Sequence, residues 1–166
     1  MEHLGHNIFV IRNFFDKNNI FVSNIEKDRN LFQERNNDCI KTYAPLEDSS
    51  NLDYLLAIKE YNNLTHSTMQ KVFNSSLKKH SSLACMVYGI GCYINYHTDQ
   101  PERYTYSSVF FINGSYSGGE LVFPDQSIEI ETEENIFIMF PSAYSHGTKP
   151  VTQGEKISST CFWELK

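Results

Sequence analysis

From Leu83 to the C-terminus, short apolar runs alternate with turn signals every eight to twelve residues. Few architectures accept that punctuation. Several short strands at this spacing specify a β-sandwich or a double-sheet jelly roll. The pattern predicts strands near 83–89, 92–97, 105–113, 119–123, 127–131, 136–140 and 155–164, with Asn113-Gly114 and Gly118-Gly119 between them. Aromatic residues reach 14%, with 12 Phe and 10 Tyr, and they favour the same strand-rich core.

The first half of the chain reads differently. Residues 7–15 predict a strand and Asp16 a helix N-cap, after which Phe21, Val22, Ile25 and Phe32 recur at roughly helical spacing. Residues 36–51 are polar and predict a loop. Leu52, Leu55 and Leu56 open a second helix, and Met69, Val72, Phe73 and Leu77 mark a third that ends near Ser81. Helices first and strands second give an α+β fold with the N-terminal helices packed on one sheet. At 166 residues the chain suits one domain, helical over about 1–81 and jelly-roll over about 82–166.

A net charge of −6 argues against a nucleic-acid backbone as partner, because phosphate binding needs a basic surface. No apolar run is long enough for a bilayer, and the N-terminus lacks the pattern of a signal peptide. Cys39, Cys85, Cys92 and Cys161 form no CxxC pair. They read as four free thiols in a reducing, cytoplasmic compartment.

The chemistry concentrates in Tyr88-Gly-Ile-Gly-Cys-Tyr-Ile-Asn-Tyr-His97-Thr-Asp99. Residues two apart on a strand point to one face, so His97 and Asp99 can share one metal ion. His146, at the end of a later strand, is the candidate third ligand. Two imidazoles and one carboxylate on one face of an ion form the facial triad of non-haem Fe(II) oxygenases and leave the other face open. A lone His-x-Asp recurs by chance, and an exposed Lys is the usual fate of that residue. The weight lies in the order of the parts. Lys156 follows His146 by ten residues and starts the last strand, where it could carry an ammonium into the barrel toward a dicarboxylate. Ser158 and Thr160 share its strand face.

These residues resemble the Fe(II)/2-oxoglutarate-dependent dioxygenases, within them the prolyl 4-hydroxylase-like branch. Tyr88-Gly-Ile-Gly with His97-Thr-Asp99 is similar to the branch's Y-G-x-G…H-x-D stretch. Gly118-Gly119-Glu120-Leu-Val-Phe123-Pro124 is similar to its G-G-E-x-x-F-P turn. His146-Gly, Pro150-Val and Gly154-Glu-Lys156-Ile-Ser-Ser-Thr160 are similar to its ending. The resemblance implies a double-stranded β-helix core. It implies that His97, Asp99 and His146 ligate Fe(II), that Lys156 binds the distal carboxylate of 2-oxoglutarate, that Thr160 lines the same pocket, and that Tyr88 sits near co-substrate or substrate. O2 is the second co-substrate and ascorbate the implied reductant. Some members carry a co-substrate tyrosine on the strand after H-x-D, where this chain has Phe110 and Phe111.

The expected activity is hydroxylation of prolyl residues in a peptide or protein, with release of succinate and CO2. Tyr96 and Arg103 are the candidate substrate contacts, and the loops 40–51 and 100–106 the candidate lids. Two alternatives stand beside it: the same chemistry on a free amino acid or other small metabolite, and a catalytically silent jelly-roll binding domain. His3, His6, His66 and His80 have no partner pattern and read as surface residues.

Overall fold

The computed structural model describes residues 1–27, 33–34, 40–43, 52–79 and 84–166. Its strands are β1 (Glu2–Gly5), β2 (Ile8–Arg12), β3 (Gln33–Glu34), β4 (Ile40–Tyr43), β5 (Leu77–Lys79), β6 (Ala84–Tyr88), β7 (Tyr106–Phe111), β8 (Tyr116–Gly118), β9 (Leu121–Phe123), β10 (Ile128–Ile130), β11 (Ile136–Pro141), β12 (Gly147–Thr148), β13 (Val151–Gly154) and β14 (Lys156–Leu165). Two helices precede the main strand run, α1 (Asn18–Lys27) and α2 (Leu52–Phe73).

The larger sheet runs β1-β2-β11-β7-β14-β6-β4-β3, with β5 also pairing β14. The second layer is built from shorter pieces, β10-β9-β12 and β13-β8. Backbone bonds join them: Gly119 N donates to Pro150 O (3.2 Å), and Lys149 N to Glu120 O (3.0 Å). The stretch before His97 lies alongside, with Gly91 N donating to Val151 O (2.7 Å) and Val151 N to Cys92 O (3.0 Å). His97 and His146 close this edge as an isolated bridge. The alternation of strand side chains sorts two cores. Val109, Phe111, Leu121, Phe123, Ile138 and Phe140 pack between the two layers. Phe110, Phe137, Met139, Cys161 and Trp163 pack on the opposite face, under Tyr54, Ala57, Tyr61 and Met69 of α2. The helices therefore cover one sheet, as the α+β reading expects.

Several local expectations change. Leu52–Phe73 is one helix rather than parts of two, because no Gly or Pro interrupts it. It stops at Asn74, whose φ of 47° is left-handed, and Leu77 leaves to pair Leu165 across β5 and β14. α1 starts at Asn18, not beside Asp16; the buried Asn18 amide donates to Ile112 O (2.7 Å) and fastens the helix start to the sheet. The region about 1–81 is not only helical, since β1–β5 lie within it. The expected loop over 36–51 contains β4, which pairs β6; residues 44–51 of the expected lid lie outside the described residues. The strand expected at 92–97 is reduced to the His97 bridge, while β8, β12 and β13 were not foreseen.

The cysteines also depart from four free thiols. Cys92 is disulfide-bonded, with its partner outside the described residues. Cys85 and Cys161 are free and buried, and burial pushes the Cys85 thiol up to about 12. His66 is not a surface residue: its Nε2 donates to Leu77 O (2.9 Å) and its ring stacks on Trp163. No described helix is long and apolar enough to cross a membrane.

Candidate metal centre

Backbone pairing brings the two histidines together. His97 N donates to His146 O and His146 N to His97 O, both at 2.9 Å, so the two rings leave adjacent strands side by side. Asp99 follows two residues later, and its N–H donates to Ser142 O (3.0 Å). The three side chains then converge. His97 Nε2 lies 3.4 Å from Asp99 Oδ1, and His146 Nε2 lies 3.4 Å from Asp99 Oδ2. One donor atom from each of the three lies within 4.8 Å of the others.

The tautomers follow from chemistry. His97 Nδ1 is 2.9 Å from Asn95 O, and His146 Nδ1 is 3.0 Å from Tyr144 O. A carbonyl only accepts, so each Nδ1 carries the proton and each Nε2 presents a lone pair. Asp99 Oδ2 is buried and has no hydrogen-bond partner among the described residues. A buried carboxylate oxygen without a partner is costly, and a cation between it and the two Nε2 atoms removes that cost. The residues therefore fit a divalent metal with nitrogen and oxygen preference.

The electrostatics are mutual. Burial acts to raise the Asp99 carboxyl, but the facing His97 ring, the nearby His146 and the Ser107 hydroxyl outweigh it and hold the carboxyl below its usual range. His97 is raised, chiefly because a second proton, taken up on Nε2 in place of a metal, would bond the Asp99 carboxylate. His146 is lowered by burial. The site opens on one side: the His97 side chain is 42% exposed, against 6% for His146 and 7% for Asp99.

Behind the triad lies a cavity of about 220 Å³, whose walls include all three residues together with Tyr88, Phe111, Lys156, Ser158 and Thr160. Lys156 is 1% exposed, so the ammonium does enter the barrel. It donates to Gly119 O (2.6 Å) and lies 4.2 Å from the Phe111 ring centroid and 5.3 Å from that of Tyr88. Burial lowers its pKa to about 7, and Glu120 pushes the other way without restoring it. The Gly118-Gly119 pair makes this approach possible. Both adopt left-handed φ, of 76° and 73°. A Cβ on Gly118 would meet Pro150 O at 2.3 Å, and one on Gly119 would meet Lys156 Cδ at 3.1 Å.

Of the residues named from sequence, His97, Asp99, His146, Lys156, Tyr88, Ser158 and Thr160 share this cavity. Tyr88 meets the lysine with its ring, while its hydroxyl donates to Met86 Sδ (3.6 Å). Tyr96 and Arg103 lie outside the cavity wall. Tyr96 is 60% exposed, and its ring lies close across Gly147, beside His146. Arg103 is exposed and sits over the Tyr104 ring, which stacks on the cavity residue Phe162. The Phe110 and Phe111 pair divides: Phe110 packs under α2 and only Phe111 faces the cavity. Sequence reasoning passed over Gly119 as the lysine's acceptor, Phe111 as its aromatic neighbour, and Ser107 beside Asp99. The period of two along β7 placed Ser107 and Phe111 on the Val109 face and was the available signal.

Comparison with known proteins agrees with this geometry. Residues 83–164 match the 2OG-Fe(II) oxygenase superfamily. No curated protein sequence matches the chain. Among solved structures, the viral collagen prolyl hydroxylase of Paramecium Bursaria Chlorella virus-1, in its 2OG complex, is 17% identical with a TM-score of 0.73, covering 98% of this chain and 97% of that one. A Trichoplax adhaerens prolyl hydroxylase, in complex with a hypoxia inducible factor oxygen degradation domain peptide fragment, is 14% identical with a TM-score of 0.79, covering 95% and 83%. A Pseudomonas putida prolyl-4-hydroxylase is 15% identical with a TM-score of 0.73, covering 97% and 94%. At these identities the likeness is one of fold, the double-stranded β-helix. Sequence match, fold and converging ligands agree that this chain belongs to the 2OG-Fe(II) oxygenase superfamily.

Proposed function

We propose that this chain is an Fe(II)- and 2-oxoglutarate-dependent dioxygenase that hydroxylates prolyl residues of a peptide or protein and releases succinate and CO2. The observation that carries the reading is one cavity with two chemically distinct ends: His97, Asp99 and His146 at the open end, and the buried Lys156 with Ser158 and Thr160 on its wall. Bound Fe(II) would supply the activation of O2 that 2-oxoglutarate decarboxylation drives.

The chain's own residues do the rest. His97, Asp99 and His146 hold the ion and leave its far face free. Lys156 receives the distal carboxylate of 2-oxoglutarate, and Ser158 and Thr160 offer hydroxyls along the same wall. Phe111, Val109 and Leu121 keep that wall apolar and exclude water. Tyr96 and Arg103 stand where the prime substrate would arrive, and ascorbate would maintain the reduced metal.

The cavity's volume bears on the substrate. About 220 Å³ is small beside the roughly 300–1,000 Å³ of common ligand sites. It suits the co-substrate alone, so the group to be hydroxylated reaches the metal from the exposed His97 side. A single ring projecting from an extended peptide meets that demand. The likeness in fold to prolyl hydroxylases, one of them with a peptide, supports the same choice. The test is succinate release from 2-oxoglutarate with Fe(II), O2 and ascorbate, followed by mass spectrometry of Pro-containing peptides and of free proline. Gain of one oxygen on the peptides supports the proposal. Oxygen gain on free proline alone selects the small-metabolite reading, and absence of 2-oxoglutarate turnover with either selects the silent binding domain.

A further inference from the structure

The last strand begins abruptly. Gly154 turns the chain at a left-handed φ of 72°, Glu155 alone separates β13 from β14, and Lys156 is the first residue of β14. On one side Lys156 is held by its pairing with Tyr88 of β6. On the other side the ladder to β7 has run out. Its last pair is Ser158 with Phe111, and one further backbone bond follows, from Ile112 N to Ile157 O (2.9 Å).

The Asn113 side chain takes over where that ladder stops. Its Oδ1 accepts from Ile157 N (2.7 Å), and its Nδ2 donates to Glu155 O (2.8 Å). Those two groups belong to the two peptide units that flank the Lys156 Cα. One carboxamide therefore grips the backbone on both sides of this residue. The orientation of the amide is determined, because an N–H meets only its oxygen and a carbonyl only its NH2. The residue type follows from the same need. An ionised Asp has no proton for Glu155 O, and Ala has neither a donor nor an acceptor. Asn113 is 8% exposed and stands outside the cavity wall.

What is gripped matters more than the grip. The Lys156 ammonium sits at the end of a flexible four-carbon stem. Its tip is tied to Gly119 O (2.6 Å), and Asn113 ties its root. With both ends fixed, the stem has one path through the barrel. We infer that Asn113 is a positioning residue for co-substrate recognition, fixing the backbone of Lys156 so that the ammonium meets the distal carboxylate at a set distance from the metal. This role rests on the co-substrate reading above and extends it to a side chain that lies outside the cavity.

The experiment is calorimetric titration of the full, Mn(II)-loaded chain without O2, using two ligands. 2-Oxoglutarate reaches both the metal and Lys156, whereas oxalate chelates the metal and has no distal carboxylate. Asn113→Ala is expected to bind 2-oxoglutarate about 10- to 100-fold more weakly, the cost of misplacing a binding group by up to about 1 Å. Its oxalate affinity should stay within about twofold of native. In the Lys156→Met background Asn113→Ala should weaken 2-oxoglutarate no further, because it acts through that lysine. Asn18→Ala is the matched control: it removes another buried amide, bonded to the neighbouring Ile112 O, and should lower the melting temperature while 2-oxoglutarate affinity stays near native. A role in packing alone would make Asn113→Ala behave as Asn18→Ala does. A folded Asn113→Ala with 2-oxoglutarate affinity within about twofold of native overturns the inference, and so does an equal loss for oxalate. Should Asn113→Ala not fold, Asn113→Ser decides by the same two titrations: a loss confined to 2-oxoglutarate supports the inference and any other result overturns it. If Lys156→Met binds 2-oxoglutarate as tightly as the native chain, the co-substrate reading itself is overturned and this role falls with it.

Discussion

Among the described residues the Lys156 ammonium has one hydrogen-bond acceptor, Gly119 O, and is faced by the rings of Phe111 and Tyr88. Burial brings its pKa from the ordinary 10.5 to about 7. That difference corresponds to roughly 5 kcal/mol separating the charged from the neutral form. The sign follows from linkage. Between pH 7 and 10.5 the unfolded chain binds a proton at this lysine that the empty folded protein does not. The lysine therefore lowers the stability of the empty protein fully below pH 7, and the penalty fades as pH rises toward 10.5. A carboxylate bound at Lys156 favours the charged form, so 2-oxoglutarate binding above neutrality must take up a proton. At about pH 8 a group of pKa about 7 is about nine-tenths neutral, and the expected uptake is ~0.9 proton. Isothermal titration calorimetry of the Mn(II)-loaded protein without O2, in buffers of differing ionisation enthalpy, reads this number as a slope. The slope should fall to ~0.1 at about pH 6, and 2-oxoglutarate affinity should drop about tenfold per pH unit above neutrality. Lys156→Met should abolish both the slope and most of the affinity. A slope of zero at about pH 8, or an unchanged slope in Lys156→Met, refutes the reasoning.

Three further outcomes are expected. His97→Ala and Asp99→Ala should each abolish iron-dependent 2-oxoglutarate turnover, checked by succinate release, with circular dichroism reporting retained fold. Gly118→Ala places a Cβ 2.3 Å from Pro150 O at a left-handed φ, so thermal unfolding should show a loss of about 2 kcal/mol or more, and the KM for 2-oxoglutarate should rise as the Lys156 cradle shifts. Tyr96→Ala removes an exposed ring beside His146 and should raise the KM for a Pro-containing peptide several-fold, while uncoupled 2-oxoglutarate turnover and melting temperature stay near native.

The C-terminal half was legible because its signals are local. His97 and Asp99 are two apart, and Lys156, Ser158 and Thr160 alternate along one strand, so period two alone aligned them. The helical half was less legible because tertiary contacts choose where its elements end. Leu77 continues the apolar spacing of α2, yet it is more use to β5, where it pairs the end of β14. The short pieces β8, β12 and β13 carry Gly, Ser and Thr rather than a long apolar run, and only pairing, β8 with β13 and β12 with β9, makes them strands.

β14 has one further consequence. Lys156, Ser158, Thr160 and Phe162 line the cavity, while Ile157, Cys161 and Trp163 of the same strand press against the layer under α2. Recognition and cohesion are thus interleaved residue by residue on ten positions. A single inserted or deleted residue there would exchange the two sets, sending the polar row under α2 and the apolar one to the cavity wall. Activity and fold together are expected to tolerate only like-for-like replacement in this strand, whereas the hairpin of β1 and β2 is free of that double duty.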